Sequence, residues 1–102
     1  MGTTIRPEID RRSKWYISKH RYYELKHFCL QWHEWREDRK GYRVMVRSAC
    51  VEADPAIADY ILKAVTEGYS YTYLRSVMNM PCGRSTYFDR YRKFFWLLSN
   101  AR

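Results

Sequence analysis

The chain has 102 residues, enough for one small domain with a modest hydrophobic core. Its 46% apolar and 18% aromatic residues exclude an intrinsically disordered protein, and only four glycines and three prolines disfavour an all-β chain with many tight turns. The formal net charge of +8 favours an anionic partner, which is a nucleic acid, a membrane surface or an acidic protein.

The three cysteines, Cys29, Cys50 and Cys82, are widely spaced and include no CxxC pair. This spacing does not build a disulfide framework, so we expect free thiols in a reducing cytoplasm. No apolar run has the length of a membrane span, and the N-terminus lacks the apolar stretch of a signal peptide. The sequence therefore predicts a cytoplasmic protein with no membrane partner.

Residues 1–13 have no apolar period, which predicts a flexible basic arm. A basic arm can follow phosphates or enter a minor groove of DNA. Residues 14–102 are expected to form a single helical domain, in which 14–53 supply bracing helices.

The first helical pattern begins at Ser18, a suitable N-cap, and Gly41 is expected to end it. The apolar residues at helical spacing are Tyr22, Leu25, Cys29 and Trp32. We therefore expect 18–40 to be helical, as one helix or as two helices with a break near Trp32–His33.

The next segment, YRVMVRSACVEA, fits two structures. Its Val-Met-Val run at 44–46 suits a strand, whereas Ala49, Cys50 and Ala53 favour a helix. The helix is the preferred prediction because the segments on both sides are helical.

The segment DPAIADYILKAVTEG has the clearest helix signals. Asp54 is a candidate N-cap, Pro55 suits the first turn, and Gly68 is a candidate terminator. The apolar residues that share one face are Ile57, Tyr60, Ile61, Ala64 and Val65. This face is expected to be buried.

Two more helices are predicted, separated by a turn at 79–83. The first begins at its N-cap, Ser70, and its inward residues are expected to be Tyr71, Leu74, Val77 and Met78. The second spans 84–99, and its apolar stripe consists of Tyr87, Tyr91, Phe94, Phe95 and Leu98. The sequence therefore predicts a small all-α domain of four to five helices in which 54–99 form a C-terminal helix-turn-helix.

A helix-turn-helix presents the N-terminal residues of its last helix to base edges. Arg84 can bind guanine with two hydrogen bonds, and Ser85 and Thr86 can contact several bases. From Pro81 to the end of the chain there are five basic residues and one acidic residue. The predicted DNA-contacting residues are Ser70, Tyr71, Thr72, Arg75, Gly83, Arg84, Ser85, Thr86, Arg90 and Lys93.

Patterns for catalysis and metal binding are weaker. The candidate metal ligands, His20, His27, Cys29 and His33, lack the convergent spacing of a zinc site. The acidic residues between 24 and 38 alternate with basic ones, as on a solvated helix face. The sequence contains no phosphate-binding glycine loop. We therefore expect a non-enzyme with no metal and no cofactor.

Three stretches, WYISKHRYYELKHFCLQW, EADPAIADYILKAVTEGYSY and PCGRSTYFDRYRKFFWLLS, resemble small phage and prophage proteins. Those proteins are similar in turn to phage late-gene transcriptional activators of the RinA and ArpU type, whose C-terminal segment resembles region 4 of sigma-70 factors. The likeness covers residues 14–99, although this chain lacks much of the activators' connecting region. It implies a recognition helix at 84–98, a supporting helix at 70–78, and gene regulation inside a bacterial host cell.

The leading functional prediction is sequence-specific DNA binding by a phage or prophage transcriptional regulator. The alternative is a protein-interaction module that contacts RNA polymerase or a phage packaging partner without reading DNA. A third alternative is a small terminase subunit, which would form a ring. Double-stranded DNA is the expected partner, RNA polymerase and a second copy of the chain are further candidates, and the target sequence stays open.

Overall fold

A computed structural model describes residues 7–102. This part of the chain contains five α-helices and no strand, so the predicted all-α fold is confirmed. The helices are α1 Lys19–Leu30, α2 Lys40–Ala53, α3 Ala58–Glu67, α4 Tyr71–Ser76 and α5 Arg84–Ala101. Two single turns of 3-10 helix, Trp32–Glu34 and Glu37–Arg39, connect α1 to α2.

Helix α1 begins where the sequence predicts. The Ser18 hydroxyl accepts a hydrogen bond from the Arg21 backbone N–H at 3.1 Å, which satisfies a donor that the helix itself leaves unpaired. The helix ends at Leu30, so the prediction of one helix over 18–40 is wrong. The chain breaks near Trp32–His33, as the other alternative predicts, but two 3-10 turns follow the break in place of a second α-helix. Gly41 was expected to stop this helix, but it lies in the first turn of α2.

Tertiary contacts explain the early end of α1. The guanidinium group of Arg43 donates hydrogen bonds to the backbone oxygen of Trp32 at 2.8 and 3.1 Å and to that of Trp35 at 3.0 Å. The Trp35 side chain is only 7% exposed and packs against the rings of Phe28 and Tyr42. Arg43 thus satisfies backbone carbonyls that have left the helix, and burial of an indole stabilises the break.

The segment YRVMVRSACVEA, whose sequence fits either a strand or a helix, lies within α2, so the preferred prediction of a helix is confirmed. Helix α2 packs against α3 and α5 and buries Val46, Ala49, Cys50 and Ala53. Its opposite face is exposed, with Val44 and Val51 in contact with solvent. The periodicity of this segment is therefore that of an amphipathic helix.

The prediction that Asp54 caps the next helix is wrong, because α3 begins four residues later, at Ala58. Asp54 instead ends α2 and shapes a turn. Its carboxylate accepts from the Ala56 N–H at 2.9 Å and its backbone oxygen accepts from the Ile57 N–H at 3.2 Å. Gly68 does terminate α3, with a left-handed φ of 78° that glycine adopts without strain.

Helix α4 is short and begins at the predicted cap, where the Ser70 hydroxyl accepts from the Tyr73 N–H at 3.1 Å. Leu74 is buried as expected, but the inward prediction for Val77 is wrong because its side chain is 59% exposed. Val77 still has helical backbone angles and its N–H donates to the Tyr73 backbone oxygen at 2.9 Å, so its exposure is not due to a change in backbone conformation. The chain turns, and Met80 fills the core instead.

Helix α5 buries the whole predicted stripe, and it runs antiparallel to α2. In the second turn of α5, Arg90 donates a hydrogen bond to Asp54 at the end of α2. Beyond the last turn of α5, the guanidinium carbon of Arg102 lies 5.6 Å from the ring centre of Tyr42, near the start of α2. The buried stripe consists of Tyr87, Tyr91, Phe94, Phe95 and Leu98. None of the helices in residues 7–102 is long and apolar enough to cross a membrane.

The first six residues of the predicted flexible arm lie outside the described residues. The rest of that arm is packed against the domain. The Arg92 guanidinium donates to the Pro7 backbone oxygen at 2.6 Å, and Ile9 packs against the hydrophobic core. The folded unit therefore includes residues on the N-terminal side of the predicted boundary at Lys14.

Candidate nucleic-acid interface

The first turn of α5 is polar and open to solvent. Arg84, Ser85 and Thr86 are exposed, whereas the next two residues, Tyr87 and Phe88, are buried. The N-cap is Gly83, which has no side chain to accept from the first-turn amides. These amides and the positive end of the helix dipole are thus available to an anion.

Arg84 is oriented by aromatic rings. Its guanidinium carbon lies 5.0 Å from the ring centre of Phe88 and 5.9 Å from that of Tyr71. Within residues 7–102 it has no carboxylate partner. The faces of these rings attract the guanidinium group, and because Arg84 is exposed its N–H donors can make a planar two-point contact.

The start of α4 lies beside Arg84. Tyr71 is half-buried and its ring is tilted against that of Tyr87, with 5.4 Å between ring centres, while Thr72 is exposed. Together with the cap residue Ser70 these side chains line a cleft of about 380 Å³ that Arg84 also borders. Four of the ten predicted residues therefore meet around one depression, although they come from two helices.

Tyrosine rings form much of the cleft lining. The hydroxyl oxygens of Tyr22 and Tyr91 lie 3.0 Å apart, and Tyr87 adds a third hydroxyl-bearing ring. Burial raises the pKa of Tyr91 well above its usual value, and burial also raises the pKa of Tyr87. The hydroxyl groups of Tyr87 and Tyr91 therefore stay protonated near pH 7 and add no negative charge beside the basic residues.

Lys26 is a border residue of the cleft that the sequence pattern did not select. It lies on α1, with its ammonium nitrogen 5.9 Å from the Tyr22 ring and 5.8 Å from the Tyr23 ring. A carboxylate of opposite charge, Glu8, borders the same cleft. In the sequence, Lys26 looks like any charged residue on a solvated helix face, and only the packing of α1 brings it near Arg84.

Arg75 fastens the turn between α4 and α5. Its guanidinium group donates to the Met80 backbone oxygen at 2.6 Å, and the Met80 N–H bonds back to the Leu74 oxygen at 3.0 Å. Asn79, which directly precedes Met80, has a left-handed φ of 56°. Arg75 therefore holds the turn that sets where α5 begins.

Arg90 and Lys93 lie in a different groove. Arg90 donates to Asp54 at 3.2 Å and to the neighbouring Asp89, while the Lys93 ammonium lies 5.2 Å from the Trp15 ring. All five residues line one depression. Arg90 is thus partly neutralised, Lys93 lies against an aromatic ring, and neither lines the cleft that Arg84 borders.

Among the candidate metal ligands and nucleophiles, His33 has an acidic partner and the thiols of Cys29 and Cys50 are buried. His33 lies 2.7 Å from the Glu67 carboxylate, and no group of three or more His, Cys, Asp or Glu side chains in the described part of the chain could hold a metal ion. Burial raises the pKa of the Cys29 thiol to about 12 and also raises that of Cys50. Such thiols stay protonated and are poor nucleophiles.

Comparisons with protein-family models, with curated proteins and with solved structures give no match for this chain. The likeness to RinA- and ArpU-type activators therefore stays a prediction from the sequence.

Proposed function

We propose that this protein binds double-stranded DNA with sequence preference and acts in phage or prophage transcription within a bacterial cytoplasm. The observation that supports this most is the exposed first turn of α5, with Arg84, Ser85 and Thr86 ahead of a buried aromatic stripe. The rest of α5 packs on α1 and α2, so its N-terminal end is the part that can enter a major groove.

Each group in this turn has a partner in duplex DNA. The guanidinium group of Arg84 can donate two hydrogen bonds to a guanine edge, and the hydroxyls of Ser85 and Thr86 can donate or accept. The unpaired first-turn amides suit a phosphate, which fixes position without reading sequence. The net charge of +8 supplies long-range attraction to the duplex.

Fluorescence anisotropy with labelled duplex DNA at two salt concentrations tests the proposal. Binding is expected at low salt and should weaken steeply as salt rises, because phosphate contacts release counterions. A selection from random duplexes would then give the preferred site. No binding at low salt, or equal recovery of all sequences, would contradict specific DNA binding.

Protein interaction without DNA reading is a second candidate function. It is favoured by the outward face of α2, where Val44 is 65% exposed and Val51 50% exposed. Exposed apolar side chains on one helix face are typical of contact surfaces. A pull-down from host lysate distinguishes the two candidates, since a specific partner such as RNA polymerase that stays bound after nuclease treatment favours this one.

A further inference from the structure

The outward face of α2 has the pattern of a short coiled-coil seam. Val44 and Val51 are seven residues apart and occupy position d of two consecutive heptads. The corresponding a positions hold Gly41 and Ser48, both exposed, and a Cβ atom added to Gly41 would meet nothing within 4 Å. Small residues beside the exposed valines, Gly41 before Val44 and Ser48 between the two, allow another helix to approach closely.

Two opposite charges flank this seam. Arg47 is at position g and Glu52 is at position e of the following heptad, and both are exposed. Neither has an ion-pair partner in residues 7–102, although the Arg47 guanidinium lies 5.6 Å from the Trp32 ring. In a parallel coiled coil, the g side chain of one helix meets the e side chain five residues further along the other helix. Arg47 and Glu52 have this separation.

We propose that this face binds the same face of a second copy of the chain, with the two α2 helices parallel. In that arrangement Val44 and Val51 meet their own counterparts, and Arg47 of each copy faces Glu52 of the other. An antiparallel arrangement would bring arginine against arginine and glutamate against glutamate. The charges therefore select the parallel pair by repulsion as well as by attraction.

The parallel pair has a consequence for DNA binding that rests on the function proposed above. A twofold axis parallel to α2 also directs both α5 helices the same way, because α5 is antiparallel to α2. The exposed first turns at both copies of Arg84 would then face one side of the dimer. Two DNA-contacting first turns of α5 on one side of the dimer fit a palindromic site on a single duplex.

The seam spans only two heptads, so the interface is small and self-association is expected to be weak. Sedimentation velocity without DNA, from micromolar to millimolar concentration, should show a reversible monomer-dimer equilibrium. Arg47→Glu and Glu52→Arg are each expected to raise the dimer dissociation constant about tenfold, because each replaces two attractive contacts by repulsive ones. An equimolar mixture of the two variants should restore the wild-type dissociation constant.

A cysteine pair fixes the orientation. Val51→Cys protein is expected to form a covalent dimer under mild oxidation, whereas Ser76→Cys, exposed at the end of α4, should stay monomeric. Wild-type protein that is monomeric at millimolar concentration would overturn the proposal, as would variants that associate like the wild type. If Val51→Cys protein crosslinks only to Val44→Cys protein and not to itself, the parallel orientation is overturned. Since no DNA is present, none of these outcomes depends on the DNA proposal.

Discussion

Arg84 and Arg90 carry the same charge on the same helix, but only Arg84 lacks a carboxylate partner among the described residues. Arg84→Ala is therefore expected to weaken binding to the preferred DNA site by about 1–3 kcal/mol. Arg90→Ala removes the same charge and is expected to weaken binding less, because Asp54 and Asp89 already hold its guanidinium group. Anisotropy titrations of both variants on the selected duplex measure the difference.

Comparison of the Arg84→Ala and Arg90→Ala variants also separates base recognition from non-specific electrostatic attraction to DNA. If Arg84 reads a base, its replacement should reduce discrimination between the preferred and a scrambled duplex, whereas Arg90→Ala should leave that ratio unchanged. Equal losses in both variants on both duplexes would mean that net charge alone decides affinity.

Arg43 holds the break between α1 and α2. Arg43→Met keeps the aliphatic stem but removes the donors to the Trp32 and Trp35 oxygens, so we expect the free energy of unfolding to fall by about 1–3 kcal/mol. Arg47→Met is the matched control, since Arg47 is exposed and its guanidinium group also lies over the Trp32 ring, whereas the hydrogen bonds to the Trp32 and Trp35 oxygens come from Arg43. Urea denaturation that gives both variants the same midpoint would contradict this role.

At the level of helices, Gly41 and Gly68 have opposite roles. Gly68 has a φ of 78°, so Gly68→Ala is expected to lower the free energy of unfolding by about 1 kcal/mol through backbone strain. Gly41 is helical with open space around it, so Gly41→Ala should leave stability unchanged or raise it by up to about 1 kcal/mol. Urea midpoints measured at micromolar concentration check both, and a destabilised Gly41→Ala protein would contradict the assigned start of α2.

Helix boundaries were predictable where the signal is local. The caps Ser18 and Ser70 and the terminator Gly68 act through hydrogen bonds or backbone angles within a few residues, and the sequence places all three correctly. Gly41 and Asp54 carry equally suitable local signals and were misread. The role of Gly41 depends on contacts made elsewhere, since Arg43 and the buried Trp35 stabilise the break before it. Asp54 does act locally, but its hydrogen bonds to the Ala56 and Ile57 N–H groups form a turn ahead of α3.

At the scale of the whole molecule, the inward face of α5 was predictable and the surroundings of its outward residues were not. The aromatic stripe has helical spacing, which suffices to bury it. Arg90 and Asp54, which form an ion pair, are 36 positions apart in the sequence. Lys26 and Arg84, which border the same cleft, are farther apart still. No pattern within one helix encodes such pairs, so the predicted site splits into two grooves.

The buried thiols make the stability of the whole domain depend on alkaline pH. Burial raises the pKa of Cys29 from 9.0 to about 12 and raises that of Cys50 as well. Unfolded chains therefore lose these protons at lower pH than folded ones, so the free energy of unfolding should be level up to about pH 8 and fall above about pH 9, by up to about 1.4 kcal/mol per pH unit for each thiol. Urea denaturation under reducing conditions across this range measures the slope, and a constant free energy up to about pH 11 would contradict burial of the thiols.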